Sequence, residues 1–206
     1  MPGIPLSHGW ILHTLGLQDA GEVLGEPAAA VPAELAVLLG PLHIYAVPYI
    51  GCAGSRFFAA WQPPAGEDHS SVWLELADGI HLFLAFEGST AHDVGFELLA
   101  AVGELAVPRL DDARFSAYAQ LLSHELAEGA QGEIDEEAFA AKQSAAVDYT
   151  AVSLASTIAE YVHALWHDVE LRQGPEHLGP AWIRRRFELL TEWFPPNPGY
   201  RVFPDM

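Results

Sequence analysis

Glu160, His163 and His167 carry the spacing in this chain that most directly suggests chemistry. On a helix, at roughly 100° per residue, the three cover an arc of about 60° on one face. Ser156 and Glu170 stand close by in the sequence. Two imidazoles and a carboxylate projecting side by side could hold zinc or another divalent transition metal from one side and leave positions open for substrate. The arc also lies opposite the apolar stripe of Leu154, Ile158, Leu165 and Val169. A solvated polar helix face is therefore the simpler reading.

The run His124-Glu125-Leu126-Ala127-Glu128 approaches the H-E-x-x-H pattern of zinc peptidase helices but ends in a glutamate. It thereby lacks one of that pattern's two imidazole ligands. His124 is a further metal ligand, and Glu125 or Glu128 a general base, only if this face meets the one around His163. Arg184, Arg185 and Arg186 form the one basic cluster and could bind a phosphate or carboxylate. Their plainer role is the solvated side of a last helix, with Arg184 one turn from Glu188. Cys52, the single cysteine, sits among small residues and reads as a buried or loop thiol. His43, His69, His81 and His92 each stand alone in their local pattern and read as core-edge or loop histidines. Complete signatures such as G-x-S-x-G, G-x-G-x-x-G, a Walker loop or C-x-x-C are missing.

The elements that must position these groups can be outlined from pattern alone. The first forty residues read as short helical pieces; Pro32 opens one of them and Gly40 closes it. Leu42–Val47 and Arg56–Gln62 read as strands. Val72–Ala77 and Ile80–Phe86 flank Asp78-Gly79, a pair that suits a two-residue type I′ hairpin turn. That turn would pair Leu76 with His81 and Leu74 with Phe83. Val72, Leu74, Leu76, Phe83 and Ala85 would share one face, and Trp73, Ile80, Leu82 and Leu84 the other. With both faces mostly apolar, each should be covered, the second by the earliest helices.

From Ser89 onward the period becomes helical. Thr90 and Asp93 form a capping box, and Asp111 and Asp135 each cap a further helix. Residues 135–172 keep one helical phase, yet a bend or break at Asp148-Tyr149-Thr150 fits ordinary helix lengths better. A last helix begins after Gly179-Pro180 and stops at Pro195. Tyr200–Phe203 could add a short strand. The expectation is a single α+β domain over residues 1–206: short helices over 1–41, an antiparallel sheet of about four strands over 42–88, and a mainly helical half over 89–206.

Twenty-eight acidic against nine basic residues give a formal charge of −19. The acids are spread along the chain, 12 in residues 1–110 and 16 in residues 111–206, so the negative charge belongs to the whole surface. Such a surface repels nucleic acid and anionic membranes and steers basic partners or cations toward itself. The N-terminus lacks the basic-then-apolar order of a secretory signal, and the apolar window over 35–50 is too short and too proline-broken to span a bilayer. A cytoplasmic location follows as the default. The sequence thus points first to an acidic interaction protein for a basic partner, and alternatively to a metal-dependent hydrolase on the C-terminal helices. It leaves the oligomeric state open.

Overall fold

A computed structural model describes residues 3–66, 68–167 and 176–202. Helix α1 (Ala20–Ala30) and helix α2 (Ala33–Leu39) precede strand β3 (Leu42–Val47). Two shorter strands, β1 (Ile4–Pro5) and β2 (Ile11–His13), come before them. Then follow β4 (Tyr49–Ala53), β5 (Arg56–Ala60), β6 (Ser71–Leu76) and β7 (Gly79–Ala85). The helical half contains α3 (Ala91–Ala106), α4 (Asp112–Ala127), α5 (Glu136–Gln143), α6 (Tyr149–Trp166) and α7 (Pro180–Trp193).

The sheet departs from the antiparallel one the hairpin suggested. Five strands run in the order β1-β2-β3-β7-β6, with β2, β3 and β7 parallel at the centre and antiparallel partners at both edges. Strands β4 and β5 form a separate two-stranded hairpin. The N-terminal segment contributes strands as well as helices. Two and three residues are too few for an alternating pattern to show, and Pro5 is tolerated because β1 lies at the edge.

The β6–β7 hairpin forms, with its register two residues away from the one Asp78-Gly79 implied. Leu76 pairs with Gly79, Leu74 with His81 and Val72 with Phe83, so Ala77 and Asp78 make the turn. The reason lies in a neighbouring segment. A Cβ on Gly79 would stand 2.5 Å from the carbonyl oxygen of Pro41, which accepts a hydrogen bond from the Ile80 amide. Gly79, at φ 138°, is spent on that close approach inside the ladder, not on the turn. A slip of two preserves which residues share a face, so the face assignment survives.

Helix grammar is read correctly in detail. Thr90 and Asp93 cap α3 reciprocally, Asp111 accepts the Arg114 amide, and Asp135 accepts the Ala138 amide. The break falls where Asp148 caps α6 through the Ala151 amide. Gly40 ends α2 with φ 75°. Tyr200–Val202 is not a strand, and Phe203 lies outside the described residues, as do Val169 and Glu170.

One hydrophobic cluster joins Leu12, Ile44, Leu82 and Leu84 of the sheet to Leu24, Leu35, Leu98, Leu105, Ile158 and Phe187 of the helices. Helix α6 is its hub and touches α1, α3, α4, α5 and α7. Helices α1 and α2 belong to this same layer, on the side of Ile80, Leu82 and Leu84, and it is the opposite face, with Val72, Leu74 and Leu76, that no helix of this layer covers. Leu74 and Leu76 there stay exposed, and β4–β5 packs against β7. Among the described residues, no helix is long and apolar enough to cross a membrane.

Candidate functional site

The sheet face opposite the helices carries a group of titratable side chains. Because β2, β3 and β7 run parallel and in register, His13 pairs with Tyr45, His43 with His81, and Tyr45 with Phe83. Neighbouring strands lie about 4.8 Å apart, so side chains at paired positions meet ring against ring. His13 stacks on Tyr45 at 4.5 Å between centroids, His43 on His81 at 4.8 Å, and Tyr45 on Phe83 at 4.7 Å. The two-residue slip of the hairpin puts Asp78 at the turn, where its Oδ1 lies 3.0 Å from His81 Nε2. On the other side of that ring, Nδ1 meets the Tyr45 hydroxyl at 3.0 Å. His13 Nε2 and His43 Nδ1 are 3.4 Å apart.

His43, Asp78 and His81 can each direct one donor atom so that all three lie within 4.8 Å of one another. Among the described residues, it is the one group of three that does so. Partial burial, with the neighbouring imidazole of His43 as a second cause, pushes the His13 pKa down and favours its neutral form. Hydrogen bonding to His81 holds the Asp78 carboxyl below its usual range. His43 and His81 look unremarkable in sequence because, Asp78 apart, their partners are thirty or more residues away. The signal that could have found them is the apolar-polar alternation of Leu42–Val47 read together with Ile80–Ala85.

Phe83 links this group to an apolar groove. Ile50, Phe57, Phe58 and Ala59 of the β4–β5 hairpin face Val72, Trp73, Leu74 and Phe83 of the sheet around a cavity of about 300 Å³. Phe57 and Phe58 remain about half exposed, and Trp73 and Leu74 of the same lining are also exposed. Cys52 lies in the same hairpin, its thiol donating to the Gly54 carbonyl.

The sites expected on the C-terminal helices are rearranged. Glu160 and His163 do meet, at 3.1 Å, but they are not on a solvated face: their side chains are 13% and 14% exposed. Helix α3 covers them, bringing His92 Nε2 to 3.0 Å from His163 Nε2 and Phe96 against the ring. His92 is therefore not solitary. His167 departs from the expected arc because α6 ends at Trp166; its own backbone is extended and its ring lies perpendicular to that of His163. Both nitrogens of His163 are thus engaged, one by Glu160 and one by His92.

His124 is exposed and lies 3.6 Å from Glu128. Glu128 in turn accepts from Arg185. The three arginines separate, since successive helical positions point about 100° apart. Arg184 is half-buried, Arg185 lies over the Trp182 ring, and Arg186 is 1% exposed. Arg186 is no surface anion site. It donates to both carboxylate oxygens of Glu125 and to both of Glu133. Glu125, expected as a general base, is thereby sealed in an ion pair. Tyr149 donates to Glu133, and Ser153 and the Tyr118 hydroxyl complete the network. Burial opposes ionisation of Glu133, yet the bonds from Arg186, Tyr149 and the Ile134 amide hold its carboxyl below the usual range.

Compared with protein-family models, curated proteins and solved structures, the chain matches none.

Proposed function

We propose that the chain is a binding protein for a basic partner, which docks an apolar anchor into the groove between β4–β5 and β6–β7. The observation that carries this reading is that Phe57, Phe58, Trp73 and Leu74, which line that groove, are all exposed. Large exposed apolar groups gathered in one place usually mark an interaction surface. Strand β6 is also an edge strand, so its outer backbone groups can accept an added strand.

Charge selects the occupant. Two copies at −19 each repel, whereas a partner carrying lysine or arginine around its anchor is drawn in. Nucleic acid and anionic membranes are disfavoured by the same field. Arg56 is the one base within residues 1–108, so little in the sheet half offsets it. A hydrolase on Glu160, His163 and His167 is less well supported, because these three do not gather their donor atoms within 4.8 Å of one another, as His43, Asp78 and His81 do.

A short peptide alternating lysine and leucine, with a glutamate-leucine control, tests this by fluorescence polarisation. The lysine peptide should bind, more slowly as salt rises, and Phe58→Ser with Trp73→Ser should lose it. Sedimentation of the chain alone accompanies the titration. Equal binding of both peptides, binding that ignores the two substitutions, or a dimer that those substitutions dissolve would overturn the reading.

A further inference from the structure

We propose that His43, His81 and Asp78 bind one divalent first-row transition ion at the start of strands β3 and β7, beside the hairpin turn, independently of what occupies the groove. Their donor atoms already lie within 4.8 Å of one another, and the His81–Asp78 pair is at 3.0 Å. Around a tetrahedral zinc ion, with bonds of about 2.0 to 2.1 Å, donors stand roughly 3.4 Å apart. The group therefore needs only small side-chain adjustments to close on an ion.

The surrounding bonds favour the same use. Without an ion, His81 Nε2 donates to Asp78 and Nδ1 accepts from the Tyr45 hydroxyl; an ion that replaces the Nε2 proton leaves Nδ1 to donate to that hydroxyl, 3.0 Å away. An imidazole fixed through its other nitrogen is the usual arrangement of a metal-bound histidine. His43 meets His13 through Nδ1, which leaves Nε2 as the nitrogen for an ion. Strand pairing sets the spacing: His43 and His81 are register partners on β3 and β7, a rigid base for a site. Two imidazoles and a carboxylate suit zinc, cobalt or iron in the divalent state and disfavour calcium and magnesium, which prefer all-oxygen shells. Asp78 is 65% exposed at the hairpin turn, so an ion has a path in from solvent. The chain's negative charge concentrates cations around it. Three protein donors leave at least one coordination position for water or a ligand.

Tag-free, chelator-stripped protein is titrated with Zn²⁺ by calorimetry and with Co²⁺ by visible absorption. One equivalent of Zn²⁺ should bind, raise the melting temperature and resist a large excess of Mg²⁺. His43→Ala, His81→Ala and Asp78→Ala should each weaken Zn²⁺ binding at least tenfold and alter the Co²⁺ bands. Tyr45→Phe should weaken it about tenfold, with the Co²⁺ bands shifted but retained. The double variant His92→Ala/His163→Ala should bind as the parent does. Asp78 is exposed, so its variant tests the site even if a histidine variant misfolds. Absence of binding, an Asp78→Ala protein that binds unchanged, or loss confined to the His92/His163 variant would overturn the assignment.

Discussion

Two polar clusters in this molecule are built from similar groups and have opposite fates. Arg186, Glu125 and Glu133 lie inside the helical half, where the guanidinium meets both carboxylates through paired bonds and Tyr149 and Ser153 supply further donors. His43, His81 and Asp78 lie on the open sheet face, with one edge toward solvent. The first cluster is closed: water cannot reach it and its donor capacity is committed. The second keeps a side on which a new ligand can arrive. Residue type alone does not separate a structural site from a binding site; access and unused donor capacity do.

Removing the arginine of the closed cluster is the harshest way to probe this contrast. Arg186→Ala leaves two buried carboxylates without their cation, and we expect a loss of about 3–5 kcal/mol, read from the denaturant midpoint. A loss below about 1 kcal/mol would show that water reaches the network and would erase the distinction. Tyr149→Phe takes away one donor to Glu133 and should cost about 1–3 kcal/mol by the same measurement.

Titration distinguishes the carboxylates inside the helical half more finely. The Glu133 carboxyl is held below its usual range, so the stability it gives is present above the unfolded-state pKa and is lost as pH falls through the lower folded value. Glu97 and Glu104 on α3 are shifted the other way, chiefly by burial, with Glu137 adding repulsion at both. Glu97 also faces Asp93 and accepts weakly from Ser70 and Ser71. Their contribution is full in acid and fades as pH rises through the folded values. We therefore expect Glu97→Gln to raise the melting temperature at pH 7 and to change it little near pH 4. A gain confined to acid would reverse the sign. The smallest effect belongs to the open face: His43→Ala should change stability by less than about 1 kcal/mol in metal-free protein, since its ring is only half-buried. A loss as large as that of Arg186→Ala would make this face a structural element.

The legible parts of the fold are those whose causes are local. Thr90 with Asp93, Asp111, Asp135 and Asp148 start helices because each aspartate or threonine oxygen can take an amide three residues ahead, which neighbouring sequence alone specifies. Leu42–Val47 was readable from composition and from the proline behind it. The parallel pairing of β3 with β7 was not, because it depends on a crossover of more than thirty residues. Asp78-Gly79 alone does not set the hairpin register, because Gly79 answers to Pro41, a residue far outside the local window. For the site, Glu160 and His163 were rightly seen as neighbours, but their environment is set by His92 and Phe96 across α3. His43 and His81 escaped notice since a single histidine per strand has no local signature.

The sequence by itself determined where the helices after residue 89 are capped, the existence of the β6–β7 hairpin, the sharing of faces along its strands and the strong negative charge. These follow from hydrogen bonds and periodicities spanning a few residues, or from a sum over residue types. Tertiary structure alone decided which strands run parallel, which histidines meet, and that Arg186 turns inward while Arg185 stays out. Those outcomes depend on surfaces that the chain brings together only on folding, where burial changes what an imidazole, a carboxylate or a guanidinium can do.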